Sequence, residues 1–131
     1  MTDQYLSNSH RKLLRAAIIT EALHIILFIG IFLFAVVMAT LTEGAQAEGY
    51  ILLLTVSLPL VLLAFFLSIM LFIHLRHYTR LNKADVTTAK AQDYFTNHLI
   101  YGIIIGFMFA LFLIGILYII SYFQGKQALR N

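Results

Sequence analysis

The sequence predicts an all-α integral membrane protein: three transmembrane helices, N-terminus inside and C-terminus outside, with helical extensions on the cytoplasmic side. Three observations carry this prediction. Of 131 residues, 61% are hydrophobic and only 11% charged, against about 25% charged in soluble domains, and the mean hydropathy is +0.89. The apolar residues gather in three runs, Ala22–Leu41, Tyr50–Ile73 and Leu99–Phe123. Each reaches the ~20 residues that a helix needs to cross ~30 Å of hydrocarbon. The basic residues fall unevenly between those runs. Strands are excluded, because open sheet edges go unsatisfied in lipid and the runs exceed the roughly ten residues of a barrel strand.

The first span is expected at about 16–41. Arg11, Lys12 and Arg15 precede it, and Ser7 or Ser9 is placed to cap a helix that starts before the membrane. A signal peptide is the competing reading, with Ala45–Gln46–Ala47 as a small-residue triplet. The apolar run is near twenty residues, longer than the 7–15 of a signal h-region, so a retained helix is expected. The loop Thr42–Gly49 carries Glu43, Glu48 and two glycines and suits a tight helical hairpin.

The second span is expected at about 50–75. Pro59 within it frees the carbonyl of Thr55 and is expected to kink the helix. The cytoplasmic loop 76–97 follows, with Arg76, Arg80, Lys83 and Lys90. A break is expected at Asn82–Asp85, and Ala84–His98 has the residues of an amphipathic lead-in to a third span at about 98–123. With no internal repeat, the whole chain, 1–131, forms a single membrane domain.

Seven basic residues then lie on the N-terminal side of the bilayer, against Lys126 and Arg130 on the other. The positive-inside rule therefore places the N-terminus in the cytoplasm, in the cell (inner) membrane, as a multi-pass protein. Tyr78, Tyr94 and Tyr101 would form an inner aromatic belt, and Tyr50, Tyr118 and Tyr122 an outer one. The absence of cysteine excludes disulfides, thiolate metal ligands and cysteine nucleophiles. Nucleic acid is not an expected partner, because the basic residues are explained by membrane topology.

Gly102, Gly106 and Ala110 share one helix face at i, i+4 and i+8. Small residues let helices approach closely in lipid, so these three are expected to pack against another span of this chain or another protein. His98 lies one turn before Gly102 on the same face. His74 and His77 stand at i, i+3, and Glu21 with His24 forms an E-x-x-H pair. Glu21, His24, His74, His77 and His98 are thus a candidate metal or polar cluster at the inner leaflet, with Asp93 and Asn97 able to orient an imidazole. Which metal or cofactor, if any, is not specified. Di-metal bundles use two Glu-x-x-His motifs and this chain has one. That favours His74 and His77 as interfacial side chains reaching water, with Glu21 and His24 facing protein.

Leu14–Arg15–Ala16–Ala17 followed by Glu21–Ala22 resembles the first-helix entry of the bacterial diacylglycerol kinase family, small three-helix membrane proteins with the N-terminus inside. That family carries acidic catalytic and metal-binding residues in an E-x-x-N-x-x-x-E motif on the second span. This chain has no acidic residue from Tyr50 to Lys83, so the kinase activity is not carried over. Phe72–Ile73–His74–Leu75–Arg76 is similar to the F-F-M-H-L-K run in small subunit IV of bacterial haem-copper oxidases. That resemblance implies three helices and no catalytic residues, although the family's second loop is shorter.

The function expected is a non-catalytic small subunit or assembly partner of a larger membrane protein complex, a respiratory one among the candidates. No complete catalytic constellation marks an enzyme. The alternatives are a homo-oligomeric small channel or transporter, or a metal- or haem-bearing membrane enzyme using the Glu/His cluster. Expected partners are the lipid bilayer and other membrane subunits or further copies of the chain.

Overall fold

The computed structural model describes residues 6–83, 86–108 and 111–130; Ala110 of the expected packing face, and Ala84 and Asp85 of the expected break, lie outside these. Four α-helices follow in order: α1 Asn8–Leu41, α2 Ala45–Asn82, α3 Thr88–Ile103 and α4 Phe112–Arg130. A π-helical turn, Ile104–Met108, extends α3. No strand occurs among the described residues. Three helices are long and apolar enough to cross a membrane: α1, α2 and α4.

The first two helices are longer than the spans they were expected to contain. Ser7 caps α1, its hydroxyl accepting from the backbone N–H of His10 at 3.1 Å, so the helix begins before the apolar run. The connection to α2 is also shorter than expected. It closes at Gly44, whose φ of +71° suits a residue without a Cβ, and α2 starts at once, with Glu48 in its first turn. A carboxylate there complements the helix dipole. α2 runs unbroken through Pro59. Around it, Thr55 donates to the Ile51 carbonyl at 3.0 Å and Ser57 to that of Leu54 at 2.8 Å. Thr87 caps α3 by accepting from the Lys90 N–H at 3.2 Å.

The chain forms two compact units. One, residues 21–71, is the helical hairpin made by the C-terminal part of α1 and the greater part of α2. Its buried positions include Phe28, Ala35, Ser57, Ala64 and Leu67. Intervals of seven separate Phe28 from Ala35 and Ser57 from Ala64, the repeat of a left-handed supercoiled pair, and alanines at the seam let the helices approach. Phe34 meets Tyr50 edge-on, ring centroids 6.0 Å apart.

The other unit contains the residues up to Thr20 and those from Phe72 on. Here the apolar run expected to cross once, about 98–123, is not one helix. α3 and α4 pack against each other, and their pairing runs backwards along the chain. Phe95 meets Gly125, His98 meets Ser121, Gly102 meets Gly115 and Ile119, and Gly106 meets Gly115. As one number rises the other falls, so the two helices form an antiparallel hairpin. The packing face expected at Gly102 and Gly106 is used inside the chain: a Cβ on Gly102 would meet the Gly115 carbonyl oxygen at 2.7 Å.

Candidate functional site

α3 presents one stripe to its neighbours: Ala91, Tyr94, Phe95, His98, Tyr101 and Gly102 are buried, at the three- and four-residue intervals of a single helix face. α4 answers with Ile114, Tyr118 and Ser121, and α2 with His74, His77 and Leu81. The first turn of α1 adds His10, 1% exposed. Four imidazoles from three helices are thereby collected around one serine and several tyrosines.

Ser121 is the centre of the polar part. Its hydroxyl lies 2.8 Å from Nε2 of His10 and 2.9 Å from Nδ1 of His98, joining α1, α3 and α4. His74 is enclosed by aromatic rings, with centroids 4.3 Å from Tyr118 and 4.6 Å from Tyr101. His77 stacks on Tyr94 at 3.9 Å and 15° between planes. Arg80 donates to the Tyr94 hydroxyl at 3.0 Å, so that tyrosine is held on its face and at its tip. Arg15 of α1 donates from Nε to the Tyr78 hydroxyl at 2.8 Å. Nδ1 of His10, Nδ1 of His77 and Nε2 of His98 are buried with no hydrogen-bond partner.

Of the five residues expected as a cluster, three meet here. His74, His77 and His98 have ring centroids 5.5–6.2 Å apart. Glu21 and His24 belong to the other unit, where Glu21 is fully buried and His24 sets its ring edge-on to Phe28 at 5.9 Å. Two expectations change. His74 and His77 were expected to reach water, but both are buried, because the α3–α4 hairpin folds over them. Tyr118 was expected in an outer aromatic belt, but it packs on His74 and is fully buried, because α4 runs back beside α3. Asp93, a candidate to orient an imidazole, is exposed. Sequence reasoning missed His10, Ser121, Phe95 and Tyr118 as members of the cluster.

Chemically the arrangement ties helices together. Each neutral hydrogen bond contributes about 0.5–1.5 kcal/mol net, and each aromatic pair about as much again beyond burial. Among the described residues no group of three or more His, Asp or Glu side chains is arranged to hold a metal ion. Ser121 has a histidine neighbour, as an activated nucleophile does, but it is 0% exposed, so no substrate reaches it in this conformation. Comparison with protein-family models, with curated proteins and with solved structures finds no match to this chain, and its function is read from its own residues.

Proposed function

We propose that this chain is a non-catalytic small subunit or assembly partner of a larger complex in the cell membrane. The observation that carries the reading is an open notch at Gly30. The glycines of α3 and α4 are consumed within the chain, but a Cβ on Gly30 would meet no atom within 4 Å. An apolar groove surrounds it, lined by Ile26, Leu27, Ile31, Phe34 and Leu53. Helices in lipid associate by close packing at small residues, so this is where a partner helix approaches. The polar groups that could have served catalysis are instead enclosed and spent on joining helices, which supports a structural role.

The N-terminus is cytoplasmic in this reading, and the C-terminal tail, expected outside from the sequence, is proposed to be cytoplasmic as well. An antiparallel hairpin returns the chain to the face from which α3 starts, whatever depth it reaches. All nine lysines and arginines then lie on one side, and Glu43 and Glu48 mark the other. That is a stronger asymmetry than a tail outside would give, and the positive-inside rule favours it.

The test is purification in mild detergent with mass spectrometry of the co-purifying chains. The expected result is a stoichiometric partner that is lost when Gly30→Leu fills the notch while the variant's own melting temperature is unchanged. A chain that purifies alone, or only with copies of itself, would refute the assembly-partner reading.

A further inference from the structure

The open end of the α3–α4 hairpin holds a cavity of about 290 Å³. α3 contributes Thr88, Gln92, Phe95 and Thr96, and α4 contributes Tyr122 and Lys126. The spacings, four and eight residues for the polar side chains of α3 and four for the pair on α4, put one face of each helix into the same groove. The floor is apolar, because the Phe95 ring lies directly against Gly125; a Cβ there would come within 2.5 Å of the nearest ring carbons. The rim is polar, with two hydroxyls, an amide and an ammonium whose Nζ stands 5.9 Å from the Tyr122 ring centroid. Its single charge is positive.

The position of the groove along the hairpin identifies its occupant. On α3 the polar stretch Thr88–His98 gives way to apolar residues at Leu99, and on α4 the apolar stretch ends at Phe123. The groove straddles that boundary on α4, between Tyr122 and Lys126, and on α3 it lies just to the polar side, within Thr88–Thr96, the level of headgroups in a bilayer. Thr88, Gln92, Thr96 and Lys126 are exposed, so the groove opens outward. Its size is near the lower limit of small-molecule sites and admits a headgroup but not a diacyl body. Basic pockets between membrane helices on the cytoplasmic side suit anionic headgroups, and a lysine beside a tyrosine is an arrangement found at membrane interfaces.

We infer that this groove binds the phosphodiester headgroup of an anionic phospholipid of the cytoplasmic leaflet. Lys126 pairs with the phosphate, Thr88, Thr96 and Gln92 donate hydrogen bonds to its oxygens, and the acyl chains leave along the apolar legs. The assignment of leaflet rests on the topology proposed above; the chemistry of the groove does not.

Native mass spectrometry of the full chain, released from detergent with equimolar phosphatidylglycerol and phosphatidylcholine, tests it. One interfacial lysine contributes enough to favour the anionic lipid about fivefold. The expected result is that preference in the native chain and in Lys126→Arg, reduced to near one in Lys126→Ala. Thr96→Val should reduce it partially, and Lys90→Ala, outside the groove, should leave it intact. Equal loss in Lys90→Ala would mean a diffuse basic surface and overturn the site. Displacement of the lipid by millimolar inorganic phosphate would mean an ion site and overturn the lipid assignment. A retained preference in Lys126→Ala, with the variant folded by circular dichroism, would overturn it as well. If cysteine labelling puts the tail outside while the Lys126 dependence persists, the site stands and only the topology fails.

Discussion

Three of the glycines at the α3–α4 seam respond differently to one added methyl group. On Gly115, a Cβ would meet the Gly102 carbonyl oxygen and the Gly106 Cα, both at 2.7 Å. On Gly102 it would meet the Gly115 carbonyl oxygen at 2.7 Å and the Ile119 side chain at 2.8 Å. On Gly106 the nearest atom is the Gly115 Cα at 3.6 Å, ordinary contact. Reaching the 3.4 Å of ordinary contact from 2.7 Å needs relief of about 0.7 Å. The obstructing atoms are largely backbone, so the helices themselves must part. A gap of 0.5–1 Å forfeits about a quarter to a half of each dispersion contact along the seam, and overpacking of this kind costs about 1–3 kcal/mol. Against this stands the gain of about 1 kcal/mol for alanine over glycine in a helix. Gly115→Ala and Gly102→Ala are therefore expected to destabilise by about 1–2 kcal/mol net. Gly106→Ala is expected to be neutral or stabilising. Thermal melts in detergent by circular dichroism should show the first two about 3–8 °C below the native chain and Gly106→Ala at or above it. If Gly106→Ala falls as far as Gly115→Ala, or Gly115→Ala does not fall, the seam is not packed as described.

Three further outcomes are expected. In a chain with no native cysteine, Gln46→Cys should react with an impermeant maleimide in intact cells, while Ala89→Cys and Gln127→Cys should not. Labelling of Gln127→Cys alone among the latter two would contradict the returning hairpin. Ser121→Ala removes a hydroxyl shared by His10 and His98 and strands two buried nitrogens, so it should destabilise by about 1–3 kcal/mol, more than His24→Ala; equal effects in the same melts would argue against a shared hydroxyl. Tyr94→Phe keeps the stack on His77 but loses the bond from Arg80, costing about 0.5–1.5 kcal/mol. Tyr94→Ala loses both and should cost several times more; equal losses would mean that the stack contributes nothing.

The apolar runs made the membrane helices legible, and Ser7 marked the start of α1 correctly. The fold-back of the third run was not legible, because Leu99–Phe123 has the length of one ordinary crossing and hydropathy counts residues without knowing where the chain reverses. A signal did exist in the order of residues. Polar Thr88–His98 and polar Gln124–Arg130 flank the run as mirror images, and Gly102 and Gly106 are answered by Gly115. The same reversal explains the mixed fortunes of the cluster. His74, His77 and His98 could be placed at one depth by counting turns. His10 stood on an extension with no expected partner, and Ser121 was a single hydroxyl in an apolar run, made important only by what the hairpin lays beside it.

The hydroxyl of Ser121 has one proton to give. When both neighbouring imidazoles are neutral and that proton points at one of them, the hydroxyl donates to that ring and accepts from the other. If Nδ1 of His98 carries hydrogen, Nε2 of His10 must be bare, and the tautomer of His10 then puts hydrogen on its Nδ1. The opposite arrangement reverses every one of these assignments. The tautomers of two residues 88 positions apart in the chain are therefore a single variable. In either state, of the two outlying nitrogens, Nδ1 of His10 and Nε2 of His98, one is a hydrogen-bond donor and the other an acceptor. The two states differ in which nitrogen of each ring carries hydrogen and in which way the Ser121 hydroxyl points. Their exchange needs a proton released at one outlying nitrogen and one taken up at the other, and in it the nitrogen-15 resonances of His10 and His98 change together.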